Sequence, residues 1–226
     1  MISKEGVDLM KQQQLPSSGV NRRDVKRRAL TIAVAALLVL LGPVATGTAH
    51  SEQAQPDTTF GSGTLVVGKD VAPGTYQTVV PTTSVGCYWA RLSDLTGELD
   101  AILANANLEP GDMATVTINP DDAGFTSSRC GTWQPSQKVG PTAPAATIAG
   151  GTWIVGEDIQ PGTYRATVPD ESIGCYWARL SGLTGELDAI LANANLEAGD
   201  RATVVIADGD AGFTSNRCGS WEKTDS

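Results

Sequence analysis

Apolar and polar residues alternate along several short stretches of this chain, with the period of two that marks half-buried strands. Over 163–168, Tyr164, Ala166 and Val168 share one face, while Thr163, Arg165 and Thr167 share the other. Tyr76, Thr78 and Val80 repeat that apolar face upstream, and Ala202, Val204 and Ile206 form the core side of a further run. Over 87–93, Tyr88, Ala90 and Leu92 fall together as the apparent core side, which puts Cys87, Trp89 and Arg91 on the opposite face. Pro73-Gly74 and Pro161-Gly162 supply turn signals before strands. Short strands at close spacing predict a mainly β protein of the sandwich or barrel kind. One stretch departs from the pattern. At 98–108, Leu99, Ile102, Leu103 and Ala106 have helical spacing, but Asn105 and Asn107 weaken a helix end. A short helical turn near 98–104 followed by an extended piece is predicted there, and the same at 186–196.

The pattern occurs twice. Residues 64–133 match 152–221 at a constant offset of 88. The copies have not diverged evenly: 86–109 and 174–197 differ only at Asp94 against Gly182, whereas 64–85 and 152–173 agree at 11 of 22 positions. Either the middle block forms a surface that both copies keep, or the duplication is recent over that block. The repeats predict two tandem β domains, at 60–133 and 151–222. A Pro- and Ala-rich linker at 134–150 lies between them. Gly61-Ser62-Gly63 and Gly150-Gly151 lack the residues of a phosphate loop and are read as sources of chain flexibility.

All four cysteines lie in the repeats, two at matching positions in each. Repeat symmetry pairs Cys87 with Cys130 and Cys175 with Cys218, because each copy can then close alone. Such bonds suit an exported protein.

Charge changes the picture at the N-terminus. The whole chain carries −9, yet residues 1–49 hold seven basic and three acidic groups, so the rest carries −13. Basic residues at 22–28 precede an apolar run at 29–41, Pro43, and small residues up to Ala49. That order predicts an export signal over 1–49, cleaved after Ala49, and a secreted or cell-surface protein. The alternative is a retained membrane anchor at 29–45, although the run is short of the roughly 20 apolar residues that a span needs. No cysteine near the cleavage point offers a lipid attachment site. The acidic body argues against nucleic acid as a partner.

The segments 151–165 (GTWIVGEDIQPGTYR) and 174–180 (GCYWARL) resemble a module of secreted and surface-attached actinobacterial proteins, most of them uncharacterised. The resemblance covers both repeats and implies export and a β-rich fold. It transfers no active site. The tandem, non-lipidated arrangement departs from the lipoprotein versions.

Candidate chemistry is sparse. The only histidine is His50, at the expected mature N-terminus, so imidazole-based catalysis and His-ligated metals lack their central group. No catalytic residue, metal or cofactor is assigned. The duplicated pairs Glu98/Asp100 and Glu186/Asp188 have the residue types of a glycosidase, but solvated surface is the commoner role of such pairs. The oxygen-rich sets Asn105, Asn107, Glu109, Asp112 and Asn193, Asn195, Glu197, Asp200 match a calcium loop poorly and fit loops that bond their own backbone. Two readings stand for the aromatics. Trp89 with Arg91, and Trp177 with Arg179, form ligand platforms for a glycan or acidic polymer, or the tryptophans pack over the disulfides with Trp133 and Trp221. The leading expectation is a non-enzymatic extracellular binding protein, its partner a cell-wall glycan or a surface protein. A structural envelope protein without a ligand is the alternative, and a carboxylate hydrolase the third reading.

Overall fold

The computed structural model describes residues 59–136 and 143–224. The expected export signal at 1–49, the alternative anchor at 29–45 and His50 lie outside the described residues. Among the described residues, no helix is long and apolar enough to cross a membrane.

Repeat 1 contains β1 (Gly63–Val66), β2 (Gly74–Val79), β3 (Cys87–Leu92), β4 (Ile102–Leu108), β5 (Met113–Ile118), β6 (Gly124–Ser128) and β7 (Gln134–Pro135). Repeat 2 contains β8 (Thr147–Ile148), β9 (Gly151–Ile154), β10 (Gly162–Thr167), β11 (Cys175–Leu180), β12 (Ile190–Leu196), β13 (Arg201–Ile206), β14 (Gly212–Asn216) and β15 (Trp221–Lys223). The ambiguous stretch is a 3-10 turn at Leu99–Ala101 leading straight into β4, and Leu187–Ala189 leads likewise into β12. A single turn forms because Asn105 and Asn107 sit on an extended edge, where alternation places Ala104 and Leu108 inward.

Two sheets face each other in each repeat. Repeat 1 stacks β1-β6-β3-β4 on β5-β2-β7, and repeat 2 stacks β9-β14-β11-β12 on β13-β10-β15-β8. The fold is therefore mainly β, with two sandwiches in tandem. The core of repeat 1 gathers Tyr76, Val116, Ile118, Trp89, Phe125 and Trp133, and repeat 2 repeats this with Tyr164, Val204, Ile206, Phe213 and Trp221. Trp133 and Trp221 are fully buried, and their indole N–H groups donate to Ser127 at 2.8 Å and Ser215 at 2.9 Å. Disulfides join Cys87 to Cys130 and Cys175 to Cys218, one within each repeat.

Two sequence expectations need correction. The ends of 134–150 are strands rather than free linker: β7 pairs with β2, and β8 pairs with β15, burying Ile148 completely. Two-residue strands in a Pro- and Ala-rich segment leave too little alternation to read.

The face of β3 is also reversed. Cys87, Trp89 and Arg91 point into the sandwich, opposite Leu108, Ala106 and Ala104 of β4. The small side chains of Ala104 and Ala106 leave room for an indole and a guanidinium. Tyr88 and Leu92 lie half-buried on the outer face.

Candidate functional site

The sandwiches meet edge to edge. β5 of repeat 1 runs parallel to β9 of repeat 2 at Met113 and Gly151, which fuses one sheet from each repeat into a seven-stranded sheet ordered β12-β11-β14-β9-β5-β2-β7. Gly150 and Gly151 make this contact possible. A Cβ on Gly151 would collide with the Met113 backbone, and one on Gly150 with the Asp112 carboxylate. Close backbone approach, rather than flexibility, is their role.

Polar groups fasten the joint. Met113 N–H donates to Gly150 O at 3.2 Å, and Thr117 N–H donates to Leu183 O at 2.8 Å. The Thr115 hydroxyl donates to Thr152 O, and Gln77 Nε2 donates to Asp158 Oδ2 at 2.6 Å. Arg91 Nη1 donates to Thr184 O at 2.8 Å and to Glu186 Oε1 at 3.3 Å. The other side of the same guanidinium grips Asp122 with two bonds of 2.7 Å, in a pair almost closed to solvent. The hydrogen bond to Asp122 holds Arg91 firmly protonated, against the opposing effect of burial. One arginine thus ties the core of repeat 1 to the backbone of repeat 2.

In repeat 2 the matching pair stands at an open end. Arg179 binds Asp210 at 2.6 Å but keeps 26% of its side chain exposed. Burial would raise the Asp210 carboxyl, but the hydrogen bonds from Arg179 and from Ala207 N–H, with the Arg179 charge, outweigh it and hold the group below the usual carboxylate range.

Of the four platform candidates, Trp89 and Arg91 are buried, Trp177 is half-buried and Arg179 keeps 26% of its side chain exposed. Trp89 is buried and stacks on Phe125 at a centroid distance of 6.1 Å, and Trp177 stacks on Phe213 at 6.2 Å. Trp89 and Arg91 are not an open platform, because the joint and the core cover them. Trp89 also lines a cleft beside the joint.

The carboxylate pairs do not converge. Glu98 and Asp100 are exposed, Glu186 is engaged by Arg91, and Asp188 is exposed. Asp112 accepts the Glu109 N–H at 2.9 Å and Asp200 accepts the Glu197 N–H at 2.9 Å, so these loops bond their own backbone. Burial raises the Asp112 carboxyl above its usual range.

A cleft of about 340 Å³ opens beside the joint. Repeat 1 contributes Trp89, Asn105, Asn107 and Thr115. Repeat 2 contributes Tyr176, Asn216 and Glu186, with apolar lining from Leu180, Leu183 and Ile190 and from the largely exposed Leu187. The volume is at the small end of the range for ligand sites, and the mixture of apolar lining and a few polar groups is typical of them. Sequence reasoning missed Gln77, Asp122, Asp158 and Gly185. The one available signal was the near-identity of 86–109 and 174–197, which carries Trp89, Arg91 and 183–186 together.

Gly185 gives a direct measure of the joint. It has φ +77°, and an added Cβ would lie 2.8 Å from the Trp89 ring. Gly97, its counterpart in repeat 1, has φ +82° and open space around it. Both Gly→Ala changes carry a backbone cost of about 1 kcal/mol. Gly185→Ala is expected to cost about 1–3 kcal/mol more, by overpacking. Urea denaturation of the two variants checks the difference, and equal losses would contradict the joint.

Fold and joint together define a class: tandem disulfide-closed β-sandwiches, without a histidine in the described residues, locked into one continuous sheet. The chain belongs to the Rv1352-like extracellular domain family, whose model matches residues 57–134 and 145–222. It is an extracellular protein built on two copies of that domain. No curated protein and no solved structure matches it.

Proposed function

We propose that this protein is a non-enzymatic extracellular binding protein that holds a hydroxyl-rich ligand, a segment of cell-envelope glycan, in the cleft between its repeats. The cleft itself carries the reading. Amides of Asn105, Asn107 and Asn216 and the Tyr176 ring stand beside apolar side chains. A sugar offers the same combination, hydroxyl edges around an apolar ring face. The acidic groups support binding over hydrolysis: the only carboxylate in the cleft, Glu186, is already engaged by Arg91, and no second carboxylate faces it across the lining.

Titration with solubilised envelope polysaccharide tests this. Tyr176→Ala and Asn107→Ala are each expected to weaken binding by roughly tenfold, the loss of one stacking or hydrogen-bonding contact. Absence of binding by the native protein, or full binding by both variants, would remove the cleft as the site.

A further inference from the structure

The joint within the chain leaves its own complement open at both ends of the molecule. Repeat 1 offers an edge strand, β5, and repeat 2 receives it on β9. The counterpart of β5 is β13, which ends its sheet with no neighbour on its outer side among the described residues. The counterpart of β9 is β1, which likewise ends its sheet. An unpaired edge is a template for another strand.

The receiving surface is retained where nothing within the chain covers it. Thr152, Asp158, Leu183, Thr184, Gly185 and Glu186 recur in repeat 1 as Thr64, Asp70, Leu95, Thr96, Gly97 and Glu98. Gly151, whose missing Cβ admits β5, recurs as Gly63, which has open space around it. Leu95 is 50% exposed there. The hollow at this end, about 280 Å³, is lined by Thr64, Tyr88, Leu92, Leu95, Gly97 and Glu98 among others, which are the repeat 1 counterparts of the repeat 2 wall of the cleft.

The inserting surface is retained too, with Trp177, Arg179, Ala192 and Thr203 in place of Trp89, Arg91, Ala104 and Thr115. Its register is the same: Thr75 opposes Thr117, and Thr163 opposes Val205. Val205 therefore stands where Thr117 bonds across the joint, and it is 59% exposed.

Three inserting positions differ, and the difference has a direction. Gln77, Met113 and Thr117 become Arg165, Arg201 and Val205. Gln77 bonds Asp158, so Arg165 is the residue that would meet Asp70. The single change in the middle block, Gly182 to Asp94, adds a further carboxylate beside Leu95 and Glu98. At these three positions neutral groups suffice within one chain, where the linker supplies a high effective concentration. Arg201 and Asp94 add opposite charges at the two free ends. Arg165 faces Glu222 on β15 and Asp70 has Lys69 beside it, so the encounter rests on the open strand edges with a modest electrostatic contribution.

We propose that copies of this chain associate head to tail, β13 of one against β1 of the next, reproducing between molecules the joint that each already makes between its repeats. The contact is heterologous, so each added copy presents a fresh end. This inference is independent of what occupies the cleft.

Sedimentation of the full, disulfide-intact chain tests it, with Val205→Glu blocking the inserting end and Glu98→Lys blocking the receiving end. Both positions are exposed, so the core is untouched. The native chain is expected to gain mass with concentration. Each variant alone is expected to stay monomeric, its self-association weakened roughly a hundredfold. An equal mixture of the two is expected to form dimers and nothing larger, because each variant keeps one good end. The proposal falls if the native chain is monomeric at every concentration. It falls equally if either variant associates like the native chain, or if the mixture stays monomeric or grows past dimers.

Discussion

Arg91→Met is expected to cost repeat 1 about 3–5 kcal/mol of stability, because it strands the Asp122 carboxylate in the core without its partner. The side chains of Arg91 and Asp122 are 1% and 2% exposed, and the two bonds between them are both 2.7 Å. Asp122 keeps only the Asn119 N–H, at 2.9 Å. The variant also loses the bonds from Arg91 to Thr184 O and Glu186, so part of the loss falls on the joint. Arg179→Met supplies the internal comparison. Its chemistry is identical, but Arg179 keeps 26% of its side chain in solvent, so water reaches the site and screens the pair. A loss of about 1–2 kcal/mol is expected there. Urea denaturation of the two variants under oxidising conditions reads the difference directly. Equal losses would mean that the joint does not bury Arg91.

Removing one disulfide is expected to be comparably severe. Each bond closes a sequence separation of 43 residues. In the chain-entropy model a loop of that size restricts the unfolded state by about 4 kcal/mol. A domain of this size has a total stability of the same order, so the bond is most of the margin. Cys87→Ala with Cys130→Ala should leave repeat 1 largely unfolded near 37 °C, and Cys175→Ala with Cys218→Ala should do the same to repeat 2. Near-ultraviolet circular dichroism during thermal unfolding reports both, since Trp89 and Trp133 lie in the core of repeat 1 and Trp221, with Trp153 and Trp177 packed on it, in that of repeat 2. Full native signal at 37 °C in either double variant would contradict the estimate.

Much of the fold is legible in the chain. The alternation at Tyr164, Ala166 and Val168 and at Ala202, Val204 and Ile206 places both runs on the core side, as the structure does. The offset of 88 suffices to pair the cysteines. The local pattern turns β3 inside out for a definite reason. A tryptophan and an arginine next to a tyrosine and a leucine give no clear apolar face, and arginine normally marks solvent. Arg91 lies inward because Asp122, 31 residues away, neutralises it, and no local pattern carries that information. The joint escapes reading for a related reason. Its receiving side is built from Gly151, Thr152, Gly185 and main-chain carbonyls, residues that otherwise look like turns. The near-identical block at 86–109 and 174–197 supplies Trp89 and Arg91 from repeat 1 and 183–186 from repeat 2 to the joint. Both sets persist in both copies, although each copy uses only one set inside the molecule.

The position of the disulfides has a mechanical consequence for a protein outside the cell. A pull on the two ends of a repeat passes through the bond from Cys87 to Cys130 and bypasses the strands between them. Those 43 residues would otherwise pay out about 150 Å of slack. With the bond intact, load can extend only the segments outside the loop, and the residues within it add nothing to the length. Repeat 2 is held the same way. Reduction would therefore lengthen the molecule under load at the same time as it weakens each repeat.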